Sequence, residues 1–351
     1  MNRSAIFLAL ASAALFGIST PAAKLLLGAI HPIVLAGLLY WGAGIGAAIL
    51  RRAAPGLIGG GAREVALTRK DVPWLAGALA GGGVLGPLLL MVGLARTEAA
   101  TASLLLSLEG TATALIAWFV FHESFDRRIL LGMACLVAGA LVLSWSGTPS
   151  FTGLIGPLAI LGACTAWGLD NNLTRKVSLA DPLQIVELKG LISGSVNVAI
   201  GLLAGGSLTL APNLLLAGVT GFLGYGVSHA LYVRALRGLG AARTGAYFST
   251  APFLGAIASV LFLGETPTLA LLVAGALMAA GVYLHVSERH EHEHLHEPLD
   301  HDHPHSHGDD HHGHDHAEGI APGEPHTHRH SHQRRTHTHP HTPDMHHTHT
   351  H

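Results

Sequence analysis

The chain has 351 residues, 49% of them hydrophobic and only 12% charged, well below the roughly 25% charge of soluble domains; this excludes an ordinary water-soluble fold. The formal net charge of −2 hides a segregation, because residues 1–289 carry 17 Lys/Arg against 11 Asp/Glu whereas residues 290–351 carry 3 against 11. Two cysteines, Cys135 and Cys164, both in apolar stretches, leave no disulfide framework and no CxxC metal site, and nucleic acid is not an expected partner.

About 20 apolar residues cross a bilayer as a helix, since in lipid every backbone polar group must be bonded within the segment. In chain order the sequence predicts ten such helices, at about 4–26, 32–50, 73–94, 98–120, 127–146, 153–174, 182–204, 212–235, 241–263 and 267–286. The first has a rival reading as a cleaved signal peptide, because Arg3, an apolar run and small residues ending in STPAAK fit that pattern. The repeat described below favours its retention. Basic residues collect at the N-terminus and in alternate connections: Arg3; Arg51, Arg52, Arg63, Arg69 and Lys70; Arg127 and Arg128; Arg175 and Lys176; Arg234, Arg237 and Arg243. The opposite connections carry only Arg96, with Lys24 near the end of the first helix. The positive-inside rule then places both termini in the cytoplasm of a cell (inner) membrane protein.

Self-comparison shows two halves. At an offset of 142 residues, 94–124 overlays 236–266, matching Ser107 with Ser249, Glu123 with Glu265 and, further on, Gly139 with Gly281. At an offset of 151, FGISTPAAK (16–24) overlays WGLDNNLTR (167–175), so the first helix corresponds to the sixth. Five helices per half reverse the second copy relative to the first, the inverted plan of many secondary transporters. The fold class expected is therefore an all-α membrane protein, with ten transmembrane helices as two inverted five-helix repeats (4–146 and 153–287) followed by a disordered His-rich tail (288–351).

With Phe16-Gly17 and Trp167-Gly168 in each half's first helix, FHE (121–123) and LGE (263–265) closing each fourth helix, and GMACLVAGALVL and AGALMAAGVYL after them, the chain resembles the drug/metabolite transporter superfamily, EamA type, over about residues 4–287. The resemblance implies a ten-helix exporter or exchanger of small solutes, its cavity lined by the first four helices of each half and the fifth of each serving as scaffold or homodimer contact. Members often carry a proline midway along both fourth helices; this chain has Pro252 in the second half but Glu109-Gly110 in the first.

Ionisable groups in hydrocarbon are costly and usually face a cavity or a partner. Five lie well inside the predicted helices: Glu109, Asp170, Glu187, Lys189 and His229. Glu109 has no Lys or Arg within a turn and suits a proton-coupling or substrate-cation site, or else a neutral acid bonded across the bundle. Asp170 begins a DNN stretch that lies either on the path or at its cytoplasmic end. Glu187 and Lys189, two apart, point to opposite sides of one helix, so a salt bridge from Asp170 to Lys189 competes with a direct role in transport. His229 is either a packing residue or a ligand. Glycine runs such as GLIGGG (56–61) lack the strand and lysine of a phosphate loop, and no catalytic constellation emerges, so an enzyme is not expected.

The tail, 290–351, holds 23 of the chain's 27 histidines, often as His-x-His among acids, with no His run longer than two. It cannot bury enough apolar surface to offset its ordering entropy, hence the expected disorder. Neutral imidazole suits Zn, Ni, Co and Cu(II), so His290, His292, His294, His296, His301, His303, His305, His307, His311, His312, His314 and His316 are candidate ligands. The helical part requires no cofactor. The leading function is a secondary carrier of small solutes in the lipid bilayer with a metal-binding cytoplasmic tail. A divalent transition-metal exporter and a membrane-tethered metal buffer or sensor are the alternatives.

Overall fold

Where water is absent, backbone N–H and C=O groups must find each other, and the apolar segments meet that demand as helices. The computed structural model describes residues 3–53, 67–121, 127–144, 151–177, 181–208, 211–239, 241–286, 290–296, 299–305, 326–332 and 335–341. Among the described residues, eight helices are long and apolar enough to cross a membrane, and two shorter apolar helices, Ala251–Leu263 and Leu269–Leu284, follow them.

The first half comprises α1 (Arg3–Leu26), α2 (Pro32–Ala53), α3 (Val72–Ala78), the π-helical turn π1 (Leu79–Leu85), α4 (Gly86–Leu94), α5 (Ala99–Leu105), α6 (Leu108–Phe121) and α7 (Arg127–Ser144). The second comprises α8 (Phe151–Arg175), α9 (Pro182–Leu203), α10 (Ala211–Gly221), π2 (Phe222–Val227), α11 (Ser228–Leu239), α12 (Ala241–Phe248), α13 (Ala251–Leu263) and α14 (Leu269–Val286). The irregularities recur in order. The third and eighth predicted segments each widen into a π turn, within LAGGGVL and FLGYGV, and the fourth and ninth each break, at Leu106–Ser107 and at Ser249–Thr250. Pro252, which lacks an N–H, opens the helix after the second break. The first break forms without proline: Ser107 N–H turns to the Leu104 carbonyl (3.0 Å) and Glu109 N–H to that of Leu106 (3.1 Å), a 3₁₀-like tightening.

Small residues set how closely helices approach. A Cβ on Gly17 of α1 would strike the backbone of α13 at Ala251, and one on Gly168 of α8 would lie 2.7 Å from Thr113 N of α6; these are corresponding contacts in the two halves. Helices α2 and α9 meet through Gly37 with Gly194 and Gly44 with Gly190. The largest buried cluster draws Leu35 and Leu39 from α2, Leu90 and Met91 from α4 and Ile160 and Cys164 from α8, while Phe7, Leu203, Phe262 and Leu269 face outward. Both cysteines are free.

The turn between α4 and α5 is held by two charged side chains from elsewhere. Lys24 Nζ donates to the carbonyls of Leu94 (2.6 Å) and Thr97 (2.7 Å), and the Glu265 carboxylate accepts from Ala99 N–H (2.7 Å) and Ala100 N–H (2.8 Å). Each charge meets the helix end whose dipole it complements.

Four tail segments depart from the expected disorder. Strand β1 (His290–His296) pairs antiparallel with β4 (Arg335–His341), and β2 (Leu299–His305) with β3 (His326–His332). Alternation of period two is the strand's own period, so these stretches satisfy their backbone groups in ladders.

Candidate functional site

Three of the five intramembrane candidates, Glu109, Asp170 and Lys189, converge on one region, and it is built around α8. Asp170, Asn171 and Asn172 are consecutive, so their side chains fan out by about 100° each and reach three partners. Asp170 takes Lys189 Nζ of α9 on both oxygens at 2.6 Å, with the Thr174 hydroxyl at 2.8 Å. Asn171 Nδ2 donates to Glu109 Oε1 (2.9 Å) and to Thr113 Oγ1 (3.1 Å). Asn172 Nδ2 donates to the carbonyls of Thr113 (3.0 Å) and Gly168 (2.8 Å), stitching α8 to α6.

Glu109 owes its place to the break at Leu106–Ser107, which makes it a first-turn residue of a new helix, α6. The free N–H groups there favour an anion. Among the described residues it has no ion-pair partner, and only Oε1 is bonded. Beside it Gly110 is exposed, with nothing within 4 Å of where a Cβ would stand. The hydroxyls of Ser103, Ser107 and Thr111, one turn apart along α5 and α6, are buried with no protein partner.

The π turn in the third segment supplies the opposite wall. Widening the helix frees its carbonyls for side-chain donors: Gly82 O accepts from Tyr40 Oη of α2 (2.9 Å) and Trp167 Nε1 of α8 (3.0 Å), and Gly83 O from Asn197 Nδ2 of α9 (3.1 Å). A side chain at Gly82 would overlap the Asp170 carboxylate. From the second half come His229, whose ring lies 6.3 Å from that of Tyr232, and a run of aromatic contacts. Tyr40 meets Tyr225 at 5.9 Å, Tyr225 meets Phe16 at 5.7 Å, Phe16 meets Phe248 at 5.4 Å and Phe248 meets Tyr232 at 5.1 Å. Glu109 is half-buried and His229 exposed.

Glu187 stands apart. It is buried and takes Arg51 Nη2 at 2.8 Å and Arg52 Nη2 at 3.0 Å, tying α9 to the end of α2. It and Lys189 do point opposite ways, each to a different helix. A shallow apolar groove beside Glu187, lined by Ile45, Ile49, Arg52 and Leu191, is separate from the polar cluster. The aromatic residues and Thr113 escaped the sequence reading, although three of only five tyrosines lie here and a buried hydroxyl always raises the question of its partner.

Of the tail candidates, His290, His292, His294 and His296 lie on β1 and His301, His303 and His305 on β2; His307, His311, His312, His314 and His316, like Glu123, lie outside the described residues. The register sets His290, His292 and His294 opposite His341, His339 and His337, and His301, His303 and His305 opposite His330, His328 and His326.

A bundle of apolar helices with two matched breaks, two matched π turns and an acid at a half-helix end describes a membrane transport protein. The EamA-like transporter family matches residues 3–145 and 154–287, and the chain belongs to that family, of the drug/metabolite transporter type; it is a multi-pass membrane protein. It is 28% identical over 282 residues to an uncharacterized transporter of Methanothermobacter thermautotrophicus, covering 77% of this chain and 82% of the relative. It is 28% identical over 205 residues to a probable amino-acid metabolite efflux pump of Salmonella typhimurium, covering 54% and 67%. A 78-residue stretch is 42% identical to a probable 4-amino-4-deoxy-L-arabinose-phosphoundecaprenol flippase subunit of Pseudomonas aeruginosa, 22% of this chain and 65% of that one. A solved crystal structure shares the fold at TM-score 0.57 and 18% identity, over 81% of this chain and 96% of the other.

Proposed function

We propose that the chain is a secondary exporter or exchanger of small organic metabolites, working across the cell (inner) membrane with both termini cytoplasmic. Its two halves, 4–146 and 153–287, act as inverted five-helix repeats, and solute or coupling proton engages Glu109 between them. The observation that carries this reading is the Glu109 carboxylate itself, at the first turn of a broken helix, held by Asn171 on one oxygen with the other unbonded among the described residues. Discontinuous helices whose N-termini point at the solute are how secondary carriers build midplane sites. The efflux function in the name of the Salmonella relative agrees with it.

Purified protein in liposomes, screened for gradient-driven counterflow of labelled metabolites, tests the reading. Flux by the wild type that falls at least about tenfold in Glu109→Gln supports it; no flux of any solute from a folded protein overturns it.

The tail, 288–351, is read as a cytoplasmic accessory that binds Zn, Ni, Co or Cu(II) through paired histidines. Metal as cargo is the weaker reading, because among the described residues no three His, Cys, Asp or Glu side chains are grouped as a metal would need. Cells expressing the full chain or a form ending at Arg289, assayed for Zn, Ni and Co content, separate the roles. An exporter lowers cell metal; a buffer raises it only when the tail is present.

A further inference from the structure

Away from the polar cluster, the charges at one end of α2 and α9 do not balance. The two helices run antiparallel, Gly37 beside Gly194 and Gly44 beside Gly190, so the C-terminus of α2 meets the N-terminal part of α9. There Arg51 and Arg52 share the single carboxylate of Glu187: Arg51 Nε and Nη2 reach Oε2 at 2.8 Å, and Arg52 Nη2 reaches Oε1 at 3.0 Å. Two guanidiniums on one carboxylate leave one positive charge over. The opposed ends of the two helix dipoles offset each other and leave that excess in place. The Arg51 side chain is 35% exposed and that of Arg52 64%. Of the five N–H donors of Arg52, one on Nη1 meets the Ala48 carbonyl at 3.1 Å and one on Nη2 meets Glu187; the rest have no acceptor among the described residues.

Beside this charge runs the apolar groove between α2 and α9, about 430 Å³ in volume. Ile45, Ala48, Ile49 and Arg52 recur on α2 at intervals of three and four, which is one face of a helix, and Glu187 and Leu191 share a face of α9. Ile45 and Ile49 are 51% and 57% exposed. From Arg52 to Ile45 the groove extends about 10 Å along α2, from the helix end into the span. One partly paired guanidinium thus heads a hydrocarbon slot of the size that holds a single small ligand. Further basic residues stand at the same end. Leu67 N–H bonds to Gln184 of α9, and Val177 packs with Ile185, which brings the exposed Arg69, Lys70 and Lys176 to this side of the bundle. The acids there are engaged locally, Asp71 by Thr68 and Asp181 by Leu183 N–H.

We infer that this groove holds one anionic phospholipid from the leaflet at that end, its phosphate on Arg52 and one acyl chain along Ile49, Ile45 and Leu191. A small water-soluble anion has nothing to lay in the groove, and a zwitterionic lipid gains little from the excess charge. Arg52 keeps Glu187 on one edge and presents its remaining N–H groups to phosphate oxygens, for which its planar donor set is suited. One negative phosphate balances the one charge left over. Basic pockets between membrane helices recruit anionic head groups in this way, each Lys or Arg near the surface adding about fivefold in affinity. The bound chain seals α2 against α9 beyond their last glycine contact, at Gly44 and Gly190. None of this depends on the carrier reading, because binding is measured without flux.

Native mass spectrometry of the purified full chain in detergent, titrated with dioleoylphosphatidylglycerol or dioleoylphosphatidylcholine, tests the inference, with glycerol 3-phosphate as the head group alone. The first phosphatidylglycerol is expected to bind at least about fivefold more tightly than the first phosphatidylcholine, and glycerol 3-phosphate not measurably. Arg52→Gln should remove that preference, and Arg52→Lys should retain part of it. Ile49→Trp, which fills the groove and leaves the charges, should weaken phosphatidylglycerol at least about fivefold, whereas Arg69→Gln, outside the groove, should change it by less than about twofold. Should Arg52→Gln fail to fold, Ile49→Trp and the ratio of the two lipids still decide. Equal binding of the two lipids, tight binding of glycerol 3-phosphate, or a preference unchanged in either Arg52→Gln or Ile49→Trp overturns the inference. So does another occupant: a dimer that Ile49→Trp breaks up assigns the groove to a second copy, and phosphatidylglycerol binding that appears only in a form ending at Arg289 assigns it to the acidic tail. Absence of flux in liposomes overturns the carrier and leaves this site standing; loss of the lipid preference does the reverse.

Discussion

At the scale of single residues, the charges inside the described helices divide into those that hold the bundle and Glu109, which has no ion-pair partner among the described residues. Asp170 and Lys189 are structural by geometry: the Lys189 side chain is 18% exposed and that of Asp170 8%, so each needs the other. Lys189→Met leaves a carboxylate stranded, which costs about 3–5 kcal/mol when a buried pair is broken on one side; the double variant Asp170→Asn, Lys189→Met is expected to recover most of that loss. Thermal unfolding in detergent, followed by fluorescence, checks both, and equal midpoints for single and double variants would contradict the pairing. Asn172→Ala removes two bonds between α8 and α6 and should cost about 1–2 kcal/mol in the same assay. The sequence already identified Asp170 and Lys189 as candidates for one ion pair. It was silent on the Asn171 bond to Glu109, because which of three adjacent polar residues faces α6 depends on the rotation of α8 against a helix some 60 positions away.

At the scale of elements, close approach and capping carry the argument. Gly44 lies against Gly190, so Gly44→Leu should push α2 from α9 and abolish folded yield, whereas Gly218 has open space beside it and Gly218→Ala should stabilise α10 by about 0.5–1 kcal/mol. Size-exclusion profiles and unfolding midpoints of the two variants separate packing from helix propensity. Glu265 caps α5 across the molecule, and Glu265→Ala is expected to cost about 0.5–2 kcal/mol, with Glu265→Gln recovering part. Hydropathy made the helices legible; it could not show their interruptions. The first π turn holds glycines whose carbonyls are claimed by Tyr40, Trp167 and Asn197, partners on other helices. The break before Glu109 has no proline to announce it, and its local signal, a Ser among leucines, is shared by many unbroken helices.

At the scale of the whole molecule, the apolar bundle and the acidic histidine tail are expected to work as separable parts. Zinc binding by a 290–351 peptide should weaken as pH falls through about 6.5, because ligation needs neutral imidazole and protons compete for the same nitrogen; isothermal titration at pH 7.5 and 5.5 reads this directly, and equal affinity at both would exclude the histidines as ligands. Sequence alone determined what depends on composition and order: lipid as the solvent, two matched halves, the family, and a tail dense in imidazole. These are local properties, written in hydropathy, spacing and repetition. Tertiary structure decided which charges are spent on one another, where two helices break, which tail residues face each other across the strands and which aromatic rings gather with one another. Each of those depends on the distance between residues far apart in the chain, and that distance is set by how glycine-lined helices pack.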